Sequence, residues 1–150
     1  MYFTRTQRLT LAGARKIVSA ATASAEAAGI SISVVVADAG GHPLLLERMD
    51  GGRFHTVHSA ATKAACAASN RRPTGSAGAQ GQALETIHAL GLALAAGAER
   101  WTALEGGCPI IVDGECIGGV GVSGGSFDFD ERVAREAVEA IGAHWQVNPR

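Results

Sequence analysis

The sequence is poor in aromatic residues. Phenylalanine, tyrosine and tryptophan make up 5% of the 150 residues, whereas 47% are hydrophobic and 20 are glycine. A chain of this length and apolar content has the usual size of one domain and can bury a core without metal or disulfide crosslinks. Much of the apolar content is alanine and glycine, so we expect backbones to approach each other closely inside the protein. Such small side chains give a single subunit modest stability, which association between subunits would increase.

Neither a basic stripe nor a long apolar run is present. The formal net charge is −1, and arginines and lysines are scattered apart from Arg71-Arg72, so nothing matches a row of nucleic-acid phosphates. The longest uncharged apolar stretch, 86–98, is too short to span a bilayer, and the N-terminus lacks the apolar segment of a secretory signal. We therefore predict no nucleic-acid or membrane partner and, unless a leader was removed, a cytoplasmic location.

Cysteine is also scarce. Cys66, Cys108 and Cys116 form no C-x-x-C motif, and their odd number argues against a disulfide framework or a structural zinc site. If Asp113-Gly114 is a two-residue hairpin turn, Cys108 and Cys116 fall on opposite faces of the sheet. We expect free and mostly buried thiols, with Cys108 as the best candidate for a reactive one.

Hydrophobic periodicity and turn residues predict the element order α, β, β, α, α, β, β, α. The predicted elements are a helix between a Thr10 cap and Gly29, strands over 30–37 and 44–49, helices over 54–70 and 83–96, strands over 108–112 and 115–122, and a helix over 129–143. The last helix is expected to begin with a capping box, Asp128-x-x-Glu131. Two hairpins favour an antiparallel sheet covered by helices, since parallel strands would need crossover connections.

An ordered series of short motifs runs through the chain. They are Arg48-Met49-Asp50-Gly51, Lys63-Ala64, Gly106-Gly107-Cys108-Pro109-Ile110, Asp113-Gly114, Gly118, Gly121-Val122-Ser123-Gly124-Gly125 and Asp130-Glu131. In this order and spacing the series resembles the GlcG/HbpS family, also described as haem-degrading, PduO C-terminal-like or DUF336-type, over roughly residues 9–142. The resemblance implies one α+β domain with a profilin-like, three-layer α/β/α fold, a central antiparallel sheet, and assembly into dimers or larger rings up to octamers.

The resemblance also implies a ligand without fixing it. Members are described as binding haem or related tetrapyrroles, handling iron, or occurring beside genes of organic-acid catabolism. Haem-binding members place an axial ligand, often histidine, near the start of the chain, whereas here no histidine or cysteine precedes His42. The sequence therefore leaves three alternatives for the cofactor, which are haem, a divalent metal, or no cofactor.

Candidate chemistry lies on the second helix and at the end of the first hairpin. His55 and His58 are close enough along a helix to share a metal, with a third ligand from Glu85, His88 or Asp128; alternatively they are ordinary polar residues. Arg48 could bind a carboxylate and Asp50 could act as a base, or the two could pair with each other. Lys63 could form a Schiff base, although the helical wheel predicts that it faces outward to a salt bridge.

The glycine-rich segments supply the remaining candidates. Backbone N–H groups of 121–125 could hold an anion, or these glycines could simply permit close packing. We predict a homo-oligomeric small-molecule-binding protein, with an organic acid or a tetrapyrrole as the ligand. The predicted pocket is formed by Arg48, Asp50, His55, His58, Gly106, Gly107, Cys108, Pro109, Ser123, Gly124 and Gly125. The alternatives are a lyase, isomerase or hydrolase that moves a proton with His58 or Asp50, and a structural subunit without a ligand.

Overall fold

The computed structural model describes residues 1–147, in which four helices accompany a four-stranded sheet. The elements are α1 (Leu11–Ala28), β1 (Ser33–Asp38), β2 (Pro43–Arg48), α2 (Phe54–Asn70), α3 (Thr86–Ala96), β3 (Gly107–Val112), β4 (Glu115–Ser123) and α4 (Phe127–Glu139). The strand order is β2-β1-β4-β3, and every neighbouring pair is antiparallel. The predicted element order and antiparallel sheet are confirmed.

The sheet separates two layers of helices. One face packs against α1 and α4 through a large core that includes Ile17, Val34 and Val133. The other face packs against α2 through a smaller cluster in which Val35 meets Ala60 and Ala64. The result is a three-layer α/β/α arrangement with β1 and β4 at the centre of the sheet.

Local signals set the ends of α1 as predicted. Thr10 Oγ1 accepts a hydrogen bond from the Gly13 N–H at the start of the helix, which satisfies one of the free donors of the first turn. Gly29 ends the helix at φ +68°, a backbone conformation that glycine adopts without steric cost. Between these caps the helix buries a stripe of small and branched residues against the sheet.

The glycines of β4 bring α2 unusually close to the sheet. A Cβ atom placed on Gly121 would overlap the carbonyl oxygen of Ala60, and one on Gly119 would overlap that of Ala64. The close backbone approach that these glycines predict is therefore present, and it is made by α2 of the same chain against β4. This contact fixes the height of α2 above β4.

Two predicted helix starts were wrong. The capping residue of α4 is Ser126, whose hydroxyl accepts from the Phe129 N–H, so Asp128 lies inside the first turn and does not cap it. Helix α3 begins at Thr86, three residues later than predicted. Its sequence carries no charged residue and none of its residues is buried. Within residues 1–147, no helix combines the length and apolarity that crossing a membrane requires.

Candidate functional site

A cavity of ≈ 440 Å³ lies where the N-terminal half of α2 meets the end of β4 and the start of α4. Its lining consists of Ser31, Gly51, Arg53, His55, Thr56, Ser59, Lys63, Leu104, Ser123, Gly124, Gly125, Phe127 and Asp130. Most of these residues are polar or glycine. The cavity therefore offers hydrogen-bonding groups to a small ligand in place of a purely apolar surface.

Lys63 is the most deeply placed cation of this cavity. The residue is 1% exposed, and its Nζ donates to the Val122 carbonyl oxygen at 2.8 Å and to Asp130 Oδ2 at 3.4 Å. The prediction that Lys63 faces outward was wrong. Its ammonium group has room because Gly106 has no side chain: a Cβ atom at that position would lie 2.9 Å from Nζ.

The buried face of α2 is also rotated relative to the predicted one. Steps of three and four along the sequence predict a buried face formed by Phe54, Val57, Ala61, Ala64 and Ala68. Phe54 is instead 73% exposed, whereas Ala60, which lies outside that predicted face, is fully buried together with Ala64. The β4 glycines accept only small side chains at that contact, so alanines occupy it and the large aromatic residue points away. Lys63 lies beside these alanines on the buried side.

Asp130 completes the buried charge pair from α4. The residue is 2% exposed, and its Oδ1 accepts the Gly125 N–H at 2.9 Å while its Oδ2 faces Lys63. Burial lowers the pKa of Lys63 and raises the pKa of Asp130, and in each case the attraction of the partner opposes the shift without cancelling it. The free energy needed to move a proton from Lys63 to Asp130 is therefore smaller than for the same two groups in water.

Hydroxyl groups line the wall between α2 and the sheet. Ser59 Oγ and Ser123 Oγ are 2.6 Å apart, and Ser33 Oγ and Thr56 Oγ1 are 2.8 Å apart. Thr56 Oγ1 also donates to the Arg53 carbonyl oxygen, so Ser33 donates in their shared bond. Thr56, Ser59 and Ser123 line the cavity, where their hydroxyl oxygens can still accept a hydrogen bond from a ligand that carries a hydroxyl group.

The mouth of the cavity carries positive charge. Arg53 and His55 are exposed at the start of α2, where Arg53 is the N-cap residue and the first turn contains no acidic side chain. The positive end of the helix dipole adds to the Arg53 guanidinium at this point. A ligand that enters therefore meets a cation first and the buried Lys63–Asp130 pair further in.

The structure brings together only part of the predicted pocket. His55, Ser123, Gly124 and Gly125 line the cavity, and Gly106 and Gly107 are packed against Lys63 behind it. Pro109 lies further along β3, where it pairs with Gly119 of β4.

The other candidates lie elsewhere. Arg48, Asp50 and His58 are exposed and do not line the cavity, and no Arg48–Asp50 ion pair forms among residues 1–147. Cys108 lies in the core beneath α1 and α4, on the opposite face of the sheet from α2. Burial raises the pKa of its thiol to about 12, which disfavours the reactive thiolate.

Among residues 1–147, the structure shows no third ligand beside the histidine pair, which the metal hypothesis requires. Within the described part of the chain, no three histidine, cysteine, aspartate or glutamate side chains are grouped closely enough to hold a metal ion. His55 and His58 are both exposed. Both side chains lie in the first two turns of α2.

Sequence reasoning missed Asp130 and Arg53. The sequence shows Asp130 only as part of the Asp130-Glu131 motif and not as a member of the predicted pocket, although it lies five residues after Gly125, whose N–H it accepts. The available signal was the conjunction of Lys63-Ala64 with Asp130-Glu131 in one motif series. A lone lysine in an alanine-rich helix and an acid at a distant helix start can form a buried pair, but the sequence does not show their distance.

A larger groove of ≈ 830 Å³ lies beside residues 145–147. Its Arg135 forms an ion pair with Glu131 and stacks on the Trp145 ring at 4.1 Å, and Arg72 donates to the Ala79 carbonyl oxygen. Both arginines therefore contact neighbouring parts of the protein, and Arg135 Nε is buried without a hydrogen-bond partner among the described residues. The smaller cavity contains a fully buried pair of opposite charges, which makes it the better candidate site.

Comparison with known proteins places this chain in a family. Residues 9–139, which include both members of the buried pair, match the family described as haem degrading protein HbpS-like. The chain belongs to the HbpS-like family. Among curated relatives, protein GlcG of Escherichia coli K12 is 38% identical over 110 residues, which cover 73% of this chain and 77% of GlcG.

Two solved structures extend the likeness to the fold. Klebsiella pneumoniae protein ORFY has a TM-score of 0.83 and 31% identity, with 95% of this chain and 96% of ORFY covered. A structure described as a PduOC:heme complex has a TM-score of 0.80 and 26% identity, with 93% of this chain and 99% of that one covered. The α+β architecture of the HbpS-like family is therefore shared by this chain.

Proposed function

We propose that this HbpS-like protein binds a small organic acid in the Lys63–Asp130 cavity. The observation that carries the proposal is the buried Lys63 ammonium, which lines a cavity whose mouth holds Arg53. A charged side chain is rarely buried unless its charge is used or compensated. The partial compensation by Asp130, together with the open arginine, suits an anionic ligand whose carboxylate a guanidinium can bind.

The size and the lining support a small and oxygen-rich ligand. The volume of ≈ 440 Å³ lies in the usual range for small-molecule sites, about 300–1,000 Å³. Ser59 and Ser123 offer hydroxyl groups on one wall, and Phe127 offers an apolar edge. A hydroxy acid or an oxo acid has the matching distribution of polar atoms.

Haem is the second candidate, because the PduOC relative is described in complex with heme. Haem iron is held by histidine, cysteine, methionine or tyrosine. Among the described residues that line the cavity, His55 alone is of such a type, and the surrounding lining is mostly polar, with Leu104 and Phe127 as the large apolar side chains. These residues do not fit a buried porphyrin within one subunit.

We further propose that the protein assembles into a homo-oligomer. Helix α3 supports this, since large apolar side chains without a charged neighbour on their helix are normally covered, yet Ile87, Leu90 and Leu94 are 72%, 59% and 84% exposed. A second copy of the chain is the partner that carries the same uncharged surface.

The cytoplasmic location and a role in organic-acid catabolism stay predictions of the sequence.

Calorimetric titration with a panel of mono- and dicarboxylates tests the binding proposal. Wild-type protein should bind at least one member, and Arg53→Ala should weaken that binding about tenfold or more, as expected for loss of a charge-assisted hydrogen bond. Arg15→Ala is the matched control, because Arg15 is an exposed arginine on α1, across the sheet from the cavity. Equal affinity of Arg53→Ala and wild type would contradict the proposed site.

Titration with haem separates the second candidate. A Soret shift that disappears in His55→Ala would favour haem at this cavity. A shift that His55→Ala leaves unchanged would place haem elsewhere on the protein. Binding of a carboxylate without any Soret shift would favour the organic acid.

A further inference from the structure

Lysine is rare in this protein, and its two copies have opposite environments. Lys16 is exposed on α1, whereas Lys63 is 1% exposed and lines the cavity. The side chain of Lys63 enters from α2 and reaches the Val122 carbonyl oxygen and the Asp130 carboxylate. A lysine amine that is removed from water at the wall of a cavity can act as a nucleophile toward a carbonyl carbon, and the adjacent Asp130 carboxyl group can exchange protons with it.

We propose that Lys63 forms an imine with the carbonyl carbon of a small 2-oxo acid held in the cavity. The inference rests on the proposed function, because it takes the organic acid of that site to carry a carbonyl group next to its carboxylate. Arg53 at the mouth provides the partner for the carboxylate. The carbonyl carbon is then directed inward, toward Nζ.

The reaction can be written without any further reactant. The Lys63 ammonium gives one proton to Asp130, and the free lone pair of Nζ attacks the carbonyl carbon, so that a C–N bond forms and the C–O π bond breaks. The oxygen takes a proton from Asp130, and the nitrogen returns one to it, which gives the carbinolamine. Asp130 then protonates the hydroxyl group, which leaves as water while the C=N bond forms. The products are a protonated imine beside the Asp130 carboxylate and one water molecule.

The contacts of Lys63 are compatible with this sequence of proton transfers. A neutral amine keeps two N–H donors, so Nζ can retain its 2.8 Å bond to the Val122 carbonyl while its lone pair turns to the cavity. Asp130 stays in place because its other oxygen is held by the Gly125 N–H. Burial, which lowers the pKa of Lys63 and raises that of Asp130, reduces the cost of the first proton transfer.

Reductive trapping with pyruvate tests the proposal. Wild-type protein is incubated with pyruvate and sodium cyanoborohydride, and the adduct is located by intact mass and peptide mapping. We expect one reduced adduct, on Lys63, which Lys16→Arg retains and Lys63→Arg loses. Faster labelling of Lys16 or of the N-terminus, or no adduct at all, would overturn the proposal. Acetone, which is a methyl ketone like pyruvate but has no carboxylate, should label Lys63 more slowly than pyruvate does; equal or faster labelling would overturn the role given to the carboxylate.

A second variant tests the role of Asp130 without removing the amine. Asp130→Asn should slow trapping by about 100-fold or more, the usual contribution of a positioned acid–base group, whereas Asp128→Asn, which changes an exposed carboxylate in the same helix turn, should not. Equal slowing by both variants would contradict the assignment. Circular dichroism of each variant confirms that it is folded before its rate is compared.

Binding of lactate separates this inference from the proposed function. Lactate has the carboxylate and shape of pyruvate but no carbonyl group. If lactate binds in calorimetry while pyruvate leaves no adduct, the imine is wrong and the organic-acid site stands. If neither compound binds and no adduct forms, the inference fails and the calorimetric acid panel decides the proposed function.

Discussion

Lys63 Nζ lies 3.4 Å from Asp130 Oδ2, and the side chains of both residues are 2% exposed. The two residues are 67 positions apart in the chain, on helices that lie in different layers of the fold. They meet because α2 is held close to the β4 glycines and α4 begins immediately after β4. A charge pair in such a position affects both the stability of the fold and the chemistry of the cavity.

Removing one partner of this pair should cost more than removing both. Lys63→Met leaves a buried carboxyl group without its cation, and Asp130→Asn leaves a buried ammonium without its anion. Each single change should lower the free energy of unfolding by about 3–5 kcal/mol. The double variant Lys63→Met with Asp130→Asn, whose amide oxygen can still accept the Gly125 N–H, should lose less than either single variant in urea denaturation.

An exposed ion pair provides the control. Arg132 and Glu136 lie 3.1 Å apart on α4 and both are about half exposed, so Arg132→Ala should cost about 1 kcal/mol or less. If the losses of the two buried single variants simply add in the double variant, Lys63 and Asp130 are not coupled.

The contribution of the Lys63–Asp130 pair to the free energy of unfolding should depend on pH. It should be smallest between the pH range in which Asp130 titrates and the range in which Lys63 titrates. Burial raises the pKa of Asp130 above 3.8, so the folded state binds more protons than the unfolded state just above that pH, and this contribution to stability falls as pH rises. Burial lowers the pKa of Lys63 below 10.5, so the unfolded state binds more protons just below pH 10.5, and stability rises there with pH.

The double variant isolates this pH effect, because all other titrating groups remain. The free energy of unfolding of wild type minus that of the Lys63→Met, Asp130→Asn variant should be smallest at intermediate pH and larger toward pH 3.8 and pH 10.5. Urea denaturation at a series of pH values measures the difference. A maximum at intermediate pH would mean that the ion pair lowers the Asp130 pKa and raises the Lys63 pKa.

Much of the fold could be predicted because its signals are local. The alanine stripe of α1, its Thr10 cap and the Gly29 stop act within a few residues of one another, and the Asp113-Gly114 turn sits between two short β-rich segments. The capping box of α4 was wrong for a similar local reason, since Ser126 and Asp128 compete for the same helix start and Ser126 accepts the N–H bond.

The site could be predicted only in part because its geometry depends on distant contacts. The sequence identified Ser123, Gly124 and Gly125 as a loop that could bind a ligand, and they line the cavity. The orientation of Lys63 depends on the space left by Gly106, 43 positions later in the sequence, and on a carboxylate in α4. A helical wheel of α2 includes neither Gly106 nor the α4 carboxylate, so it predicted that Lys63 faces outward.

Adding a methyl group to β4 should separate α2 from the sheet. Gly121→Ala places Cβ against the Ala60 carbonyl oxygen, and relief of such an overlap requires a backbone shift that costs about 1–3 kcal/mol or more. The shift would also move Lys63 away from the Val122 carbonyl. Thermal unfolding should therefore occur at a lower temperature, and carboxylate binding should weaken.

A glycine in open space provides the comparison. Gly91 lies within α3 with no atom near its added Cβ, so Gly91→Ala should keep or raise stability by about 0.5–1 kcal/mol, since alanine favours the helix. If Gly121→Ala and Gly91→Ala have the same effect, close contact does not determine the position of α2.

A charge on α3 should break the proposed assembly and leave the subunit folded. Leu94 is 84% exposed, and α3 contributes no buried residue to its own chain, so Leu94→Glu should hardly change the circular dichroism spectrum. In an interface between copies, the same carboxylates would lose their hydration without gaining partners, at several kcal/mol per contact. Light scattering after size exclusion should show an oligomer for wild type and a smaller species for Leu94→Glu. Leu11→Glu is the control, because Leu11 is 44% exposed on α1 and should leave the mass unchanged; a monomeric wild type, or an unchanged mass for Leu94→Glu, would remove α3 from the assembly.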